Sequence, residues 1–163
     1  MKSTIAIARA AVIAALYFTL TYFLQPLSFG PLQFRAAEML TILPVFMAEA
    51  IPGLAIGCLL ANILSPFGWY DMTFGTLATL AAAAATRLIW RKLKAGESGR
   101  LALALLPPVL FNALVLPLIW LIFASDAAFF YNMGAIFLSQ AGAVYLLGIP
   151  LYFAVKNTKI ISK

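Results

Sequence analysis

Between Arg100 and Lys156 the chain carries one charged residue, Asp126. A helix rises about 1.5 Å per residue, so about 20 apolar residues cross the roughly 30 Å hydrocarbon core of a bilayer. Leu101 to Phe123 and Asn132 to Val155 therefore each predict a membrane span. Ile5 to Leu24 and Met72 to Trp90 predict two more, and the shorter stretches Ala37 to Glu49 and Pro52 to Leu64 complete a set of about six. Composition agrees: 64% of the 163 residues are hydrophobic, 10% are charged and the mean hydropathy is +1.02. Soluble domains use about 45 to 50% apolar residues. The expected fold is an all-α membrane protein, about six transmembrane helices in a compact bundle. Residues 1–163 form a single domain in this reading, with no soluble part.

Charge decides how the two short stretches are counted. With two helices there, Lys2 and Arg9, the loop cluster Arg87, Arg91, Lys92, Lys94 and Arg100, and the tail Lys156, Lys159 and Lys163 all face one side. Cationic loops favour the cytoplasm, so both termini are expected there, in a multi-pass plasma-membrane protein. One long helix from Ala37 to Leu64 would put the tail opposite the rest. The expected break is Ala50-Ile51-Pro52-Gly53, since proline and glycine end helices. The net charge of +6 is thereby used in topology rather than in nucleic-acid binding. The opening MKSTIAIARAAVIAALYFTLTYFL is apolar for too long to be an ordinary signal peptide and is expected to stay as the first helix. KLKAGESGR, residues 92–100, is the one solvated linker of note.

Several chemistries are excluded. Cys58 is the only cysteine and there is no histidine, which removes internal disulfides and His-based or multi-Cys metal sites; no cofactor is expected. There is no G-x-x-x-x-G-K-[ST], so ATP-driven work requires a separate polypeptide. Neither G-x-S-x-G nor H-E-x-x-H occurs, leaving an enzyme only carboxylates such as Glu38 and Asp71 to work with. A structural or assembly role is the other alternative class.

Polar residues beside hydrocarbon carry what functional signal there is. A charge at the bilayer centre costs about 3 kcal/mol on insertion scales, so such groups face a partner, a cavity or the bundle interior. Arg35 and Glu38 are spaced to share a helix face and to pair. Alternatively Glu38, with Asp71 or Asn62, accepts hydrogen bonds from an amino-bearing ring while aromatics such as Phe34 and Trp69 stack on it, and Arg35 orients the carboxylate. Asn112 and Gln140 are amides within the last two spans, placed to bond between helices or to a ligand. The alanine pairs Ala10/Ala14 and Ala11/Ala15 in the first span, and Gly53, Gly57 and Ala61 in the third, permit close helix approach.

Four phrases, LQPLSFGPLQFRAAEMLTILP, IPGLAIGCLLANIL, FGWYDMTFGTLATL and LGIPLY, together resemble the QueT-type queuosine-precursor transporters, which are S components of energy-coupling factor (ECF) importers. The resemblance implies a six-helix subunit with its substrate site near the outer face, roofed by loops, and a 7-deazaguanine base as cargo. It also implies a membrane coupling protein and two cytosolic ATPases as partners, docked partly through Ala10, Ala11, Ala14 and Ala15. By motif, Phe34, Arg35 and Glu38 match the family's F-R-x-x-E, Asn62 its A-N, and Asp71 the acid before G-T-L-A-T. One departure is in the last span, where relatives often carry an acid after a glycine and this chain reads Gln140-Ala141-Gly142-Ala143. A flat vitamin or other heterocycle is the alternative cargo.

Overall fold

The structure is a computed structural model describing residues 2–30, 32–123 and 125–158. The tail cations Lys159 and Lys163 lie outside the described residues. The order is α1 (Lys2–Phe23), α2 (Gln25–Ser28), a 3₁₀ helix (Ala36–Val45), α3 (Ala50–Asn62), a π turn (Asp71–Gly75) running into α4 (Thr76–Lys92), α5 (Glu97–Ala104), α6 (Leu106–Phe123), α7 (Phe129–Ala141), a second π turn (Gly142–Leu147) and α8 (Gly148–Lys156). There is no strand among the described residues.

Among the described residues four stretches are long and apolar enough to cross a membrane: Ser3–Phe23, Asp71–Lys92, Glu97–Phe123 and Phe129–Lys156. The all-α membrane class is therefore as expected. The two short stretches are separate helices, so one long Ala37 to Leu64 helix does not form. Ten residues of 3₁₀ helix rise about 20 Å, as do thirteen of α-helix, so neither crosses about 30 Å by length alone. The break between them falls at Phe46 to Glu49, earlier than expected, because Pro52 lies in the first turn of α3, where its missing N–H would have no helical partner.

The 3₁₀ helix is the hub. Nearly all of it is buried, and it packs on α1, α3, α4, α8 and the second π turn. Runs this long are uncommon for 3₁₀ geometry, whose side chains eclipse every third residue. Arg87 of α4 caps its far end by donating to the Pro44 carbonyl at 2.8 Å. Pro107 and Pro108 likewise lie in the first turn of α6, just after the Leu105 junction with α5, whereas Pro44 and Pro117 sit inside their helices.

Glycine brings α1 and α3 together. A Cβ on Gly53 would stand 2.7 Å from the Ala10 carbonyl oxygen, and one on Gly57 would stand 2.7 Å from Tyr17 Cβ and 2.9 Å from the Ala14 carbonyl oxygen. Ala10 and Ala14 are thus taken up inside the bundle, while Ala11 and Ala15 face outward. Arg9 Nη1 donates to Glu49 Oε1 at 2.9 Å and ties the same two elements near one end. A Gly57→Ala variant must force α1 and α3 apart, a cost of about 1–3 kcal/mol, and should lower the melting temperature in detergent. Gly134→Ala, whose added methyl meets nothing within 4 Å, should leave it unchanged or raise it.

Candidate functional site

Arg35 precedes the 3₁₀ helix in an extended conformation, φ −92 and ψ 94. Its side chain therefore does not continue the helix face that carries Glu38, and the expected Arg35–Glu38 pair is not made. The pairing rule holds within one helix; here the helix begins one residue too late. Arg35 reaches instead toward α3 and the first π turn. Nη1 donates to Asn62 Oδ1 at 3.0 Å, and Nη2 lies 3.6 Å from Asp71 Oδ2. The Phe29 ring stands 5.0 Å from the guanidinium carbon.

Asp71 is 0% exposed and both its carboxylate oxygens are engaged. Ser65 Oγ donates to Oδ2 at 2.6 Å, and Trp120 Nε1 of α6 donates to Oδ1 at 3.0 Å. Asn62 is equally committed: its Nδ2 donates to the Asp71 carbonyl at 2.8 Å while its Oδ1 receives Arg35. The widened π turn brings Gly75 against this amide, where a Cβ would stand 2.9 Å from Asn62 Nδ2. Phe67 stacks on Trp120 with centroids 4.3 Å apart and shields the assembly. Arg35, Asn62 and Asp71, all expected as cargo contacts, bind one another in a frame in which Arg35 Nε and Nη2 have no hydrogen-bond partner among the described residues.

Glu38 is different. It is 1% exposed, and Tyr17 of α1 donates to its Oε1 at 2.5 Å. Its Oε2 has no partner within hydrogen-bond distance among the described residues. The Asn112 amide of α6 faces this carboxylate from just beyond that distance, and its Nδ2 has no nearer acceptor. Gln140 of α7 is buried with Oε1 unpaired. Each unmatched buried polar atom forfeits about 1–3 kcal/mol, which makes these side chains candidates to meet something other than the protein; Ser28, Arg35, Thr76, Thr86 and Arg100 also carry such atoms. Phe34 is half-buried, its ring edge 3.5 Å from where a Cβ on Gly142 would stand.

Trp69 does not join this region. It is 60% exposed and packs on Tyr70, centroids 4.2 Å apart, in an aromatic strip that continues through Phe123 to Phe74. Tyr17, Ser65, Phe67 and Trp120 are participants that the sequence reading missed. Trp120 had a legible signal: an indole N–H inside an uncharged run needs an acceptor. Tyr17 had none, since an aromatic near the end of an apolar helix is ordinary. Among the described residues no group of three His, Cys, Asp or Glu side chains converges to hold a metal.

Residues 7–157 match the profile described as QueT transporter. The chain belongs to the QueT transporter family. The family is described as one of transporters. It is also 40% identical over 86 residues to the Queuosine precursor transporter QueT of Lactococcus lactis subsp. cremoris (strain MG1363). That match covers 52% of this chain and 50% of the relative, so the chain spans about half the relative's length. No solved structure matches.

The division between this frame and the Glu38 carboxylate can be read from stability. Asp71→Asn leaves the buried Arg35 charge unbalanced, and breaking such a pair costs about 3–5 kcal/mol. Its melting temperature should fall sharply, whereas Glu38→Gln, which removes a buried charge that has no ion-pair partner, should melt at or above the parent. Similar melting of Asp71→Asn and the parent would show that the frame does not hold the fold.

Proposed function

We propose that the chain is the substrate-capturing membrane subunit, or S component, of an ATP-driven ECF importer, and that its cargo is a queuosine precursor of the 7-deazaguanine class. The observation that carries the proposal is the Glu38 carboxylate, buried, braced by Tyr17 and with its second oxygen outside hydrogen-bond distance of any described group, beside the Asn112 amide of α6. Membership of the QueT transporter family and the printed name of the Lactococcus relative support the cargo class.

In this reading the fused 2-aminopyrimidinone ring places its adjacent N–H donors on Glu38 Oε2 and Gln140 Oε1, while Asn112 Nδ2 donates to the ring carbonyl. Charge-assisted hydrogen bonds of this kind are shorter and about twice as strong as neutral ones, which favours rings that present donors together. Because Tyr17 already occupies Oε1, the ring meets chiefly one carboxylate oxygen. Phe34 supplies a flat apolar wall. Arg35, Asn62 and Asp71 hold the segment that carries Phe34 and Glu38 rather than the cargo itself.

The bundle crosses the plasma membrane six times with both termini in the cytoplasm, the two short helices serving as the second and third crossings. A membrane coupling protein and two cytosolic ATPases supply the work, and the bundle reorients as a body to release cargo inward. The coupling protein docks on the outward face of α1 at Ala11 and Ala15, where small side chains let another backbone approach.

Equilibrium binding to the purified chain tests the cargo directly. A 7-deazaguanine base should saturate the protein where riboflavin, thiamine and adenine do not, and Glu38→Gln should weaken it by about 10- to 100-fold, the range expected when a hydrogen bond to a charged group is lost. Saturation by another ring alone would replace the cargo, and equal affinity in the variant would remove Glu38 from the site. For docking, Ala11→Trp with Ala15→Trp should abolish uptake in cells while leaving binding intact; sustained uptake would exclude this face. Ala14 is unsuitable for that test because it is packed on α3.

A further inference from the structure

Gln33 occupies the left-handed region of backbone space, φ 48. Glycine adopts that conformation freely, whereas a long side chain is uncommon there. The Gln33 side chain is nevertheless 5% exposed, and its Oε1 has no protein partner. One residue thus combines a strained backbone with a buried side-chain carbonyl that has no partner among the described residues.

The main chain at this point is held firmly. Gln33 N–H donates to the Gly30 carbonyl at 2.9 Å, and the Ser139 hydroxyl of α7 is shared between the Ile136 carbonyl at 3.1 Å and the Gln33 carbonyl at 3.3 Å. Ser139 is the neighbour of Gln140, whose own Oε1 is unpaired. The next residue, Phe34, lies over Gly142 on the same side of the bundle. Gln33 is therefore fixed against α7, at the level of Gln140 and within five residues of Glu38, by contacts to its backbone alone.

We propose that Gln33 is a cargo contact: a carboxamide delivered by the segment linking α2 to the 3₁₀ helix, which meets an N–H donor on the side of the ring facing α7. This rests on the reading above that the site takes a nitrogenous ring. A hydrogen-bonding group placed there rejects rings that lack the matching donor, because the amide would then stay buried and unpaired. The left-handed backbone is what turns the side chain inward, and cargo binding supplies the partner the fold withholds.

Gln33→Gly separates the two features, since glycine relieves the backbone and deletes the amide. The full chain, parent and variant, is purified and titrated with 7-aminomethyl-7-deazaguanine, with riboflavin, thiamine and adenine as comparison rings, and melting is recorded for both. The expected result is a melting temperature equal to or above the parent's together with affinity weakened about tenfold or more. Equal affinity in parent and variant overturns the contact while leaving the cargo reading intact. If the parent takes another ring instead, the deazaguanine reading fails, and the same comparison with that ring decides the contact. Saturation by none of these rings overturns both.

Discussion

The charge of Arg35 has to be balanced inside a largely apolar bundle, and the elements around it are organised to do so. Asp71 supplies the opposite charge, Asn62 and the guanidinium share a hydrogen bond, and Ser65 and Trp120 satisfy what remains of the Asp71 carboxylate. These partners come from α3, the loop after it, the first π turn and α6. Removing one member leaves an uncompensated charge or an unmatched acceptor, so the elements are held in one arrangement rather than several. Close backbone approaches at Gly53, Gly57 and Gly75 are the steric counterpart: they let α1, α3 and the π turn come near enough for the polar partners to meet.

Glu38 stands apart from that frame. It sits on a 3₁₀ helix three residues from Arg35, yet it takes a hydrogen bond from Tyr17 of α1. Its second oxygen, facing the Asn112 amide of α6, has no partner within hydrogen-bond distance among the described residues. A membrane protein gains no stability from such groups. They make sense as a recognition surface, and α1 links that surface through Tyr17 to the opposite face bearing Ala11 and Ala15. One helix thereby borders both the proposed cargo site and the proposed docking face.

Much of the architecture was legible in the sequence. The charge-free runs mark the long apolar stretches because an uncharged stretch of that length has few alternatives to a membrane helix. The break before α3 was misplaced because proline signals the start of a helix as readily as the end of one. The Arg35–Glu38 pair was expected from spacing that applies only inside a continuous helix. The actual counter-ion, Asp71, lies far away in the chain, and no local pattern encodes a contact of that separation. Motif resemblance nevertheless pointed to Arg35, Asn62 and Asp71 as a set, though not to their binding one another. The two alanine pairs of α1 were indistinguishable in sequence; only the position of α3 shows which pair is spent inside the bundle.

In the proposed site Arg35 and Asp71 hold the framework and Glu38 meets the cargo. A structure of this chain with a 7-deazaguanine bound separates these roles. A ring N–H is expected within hydrogen-bond distance of Glu38 Oε2, with the Arg35, Asn62, Asp71 and Trp120 contacts unchanged from those described above. A ring bound to Asp71 or Arg35 through an opened frame, with Glu38 out of contact, would contradict it.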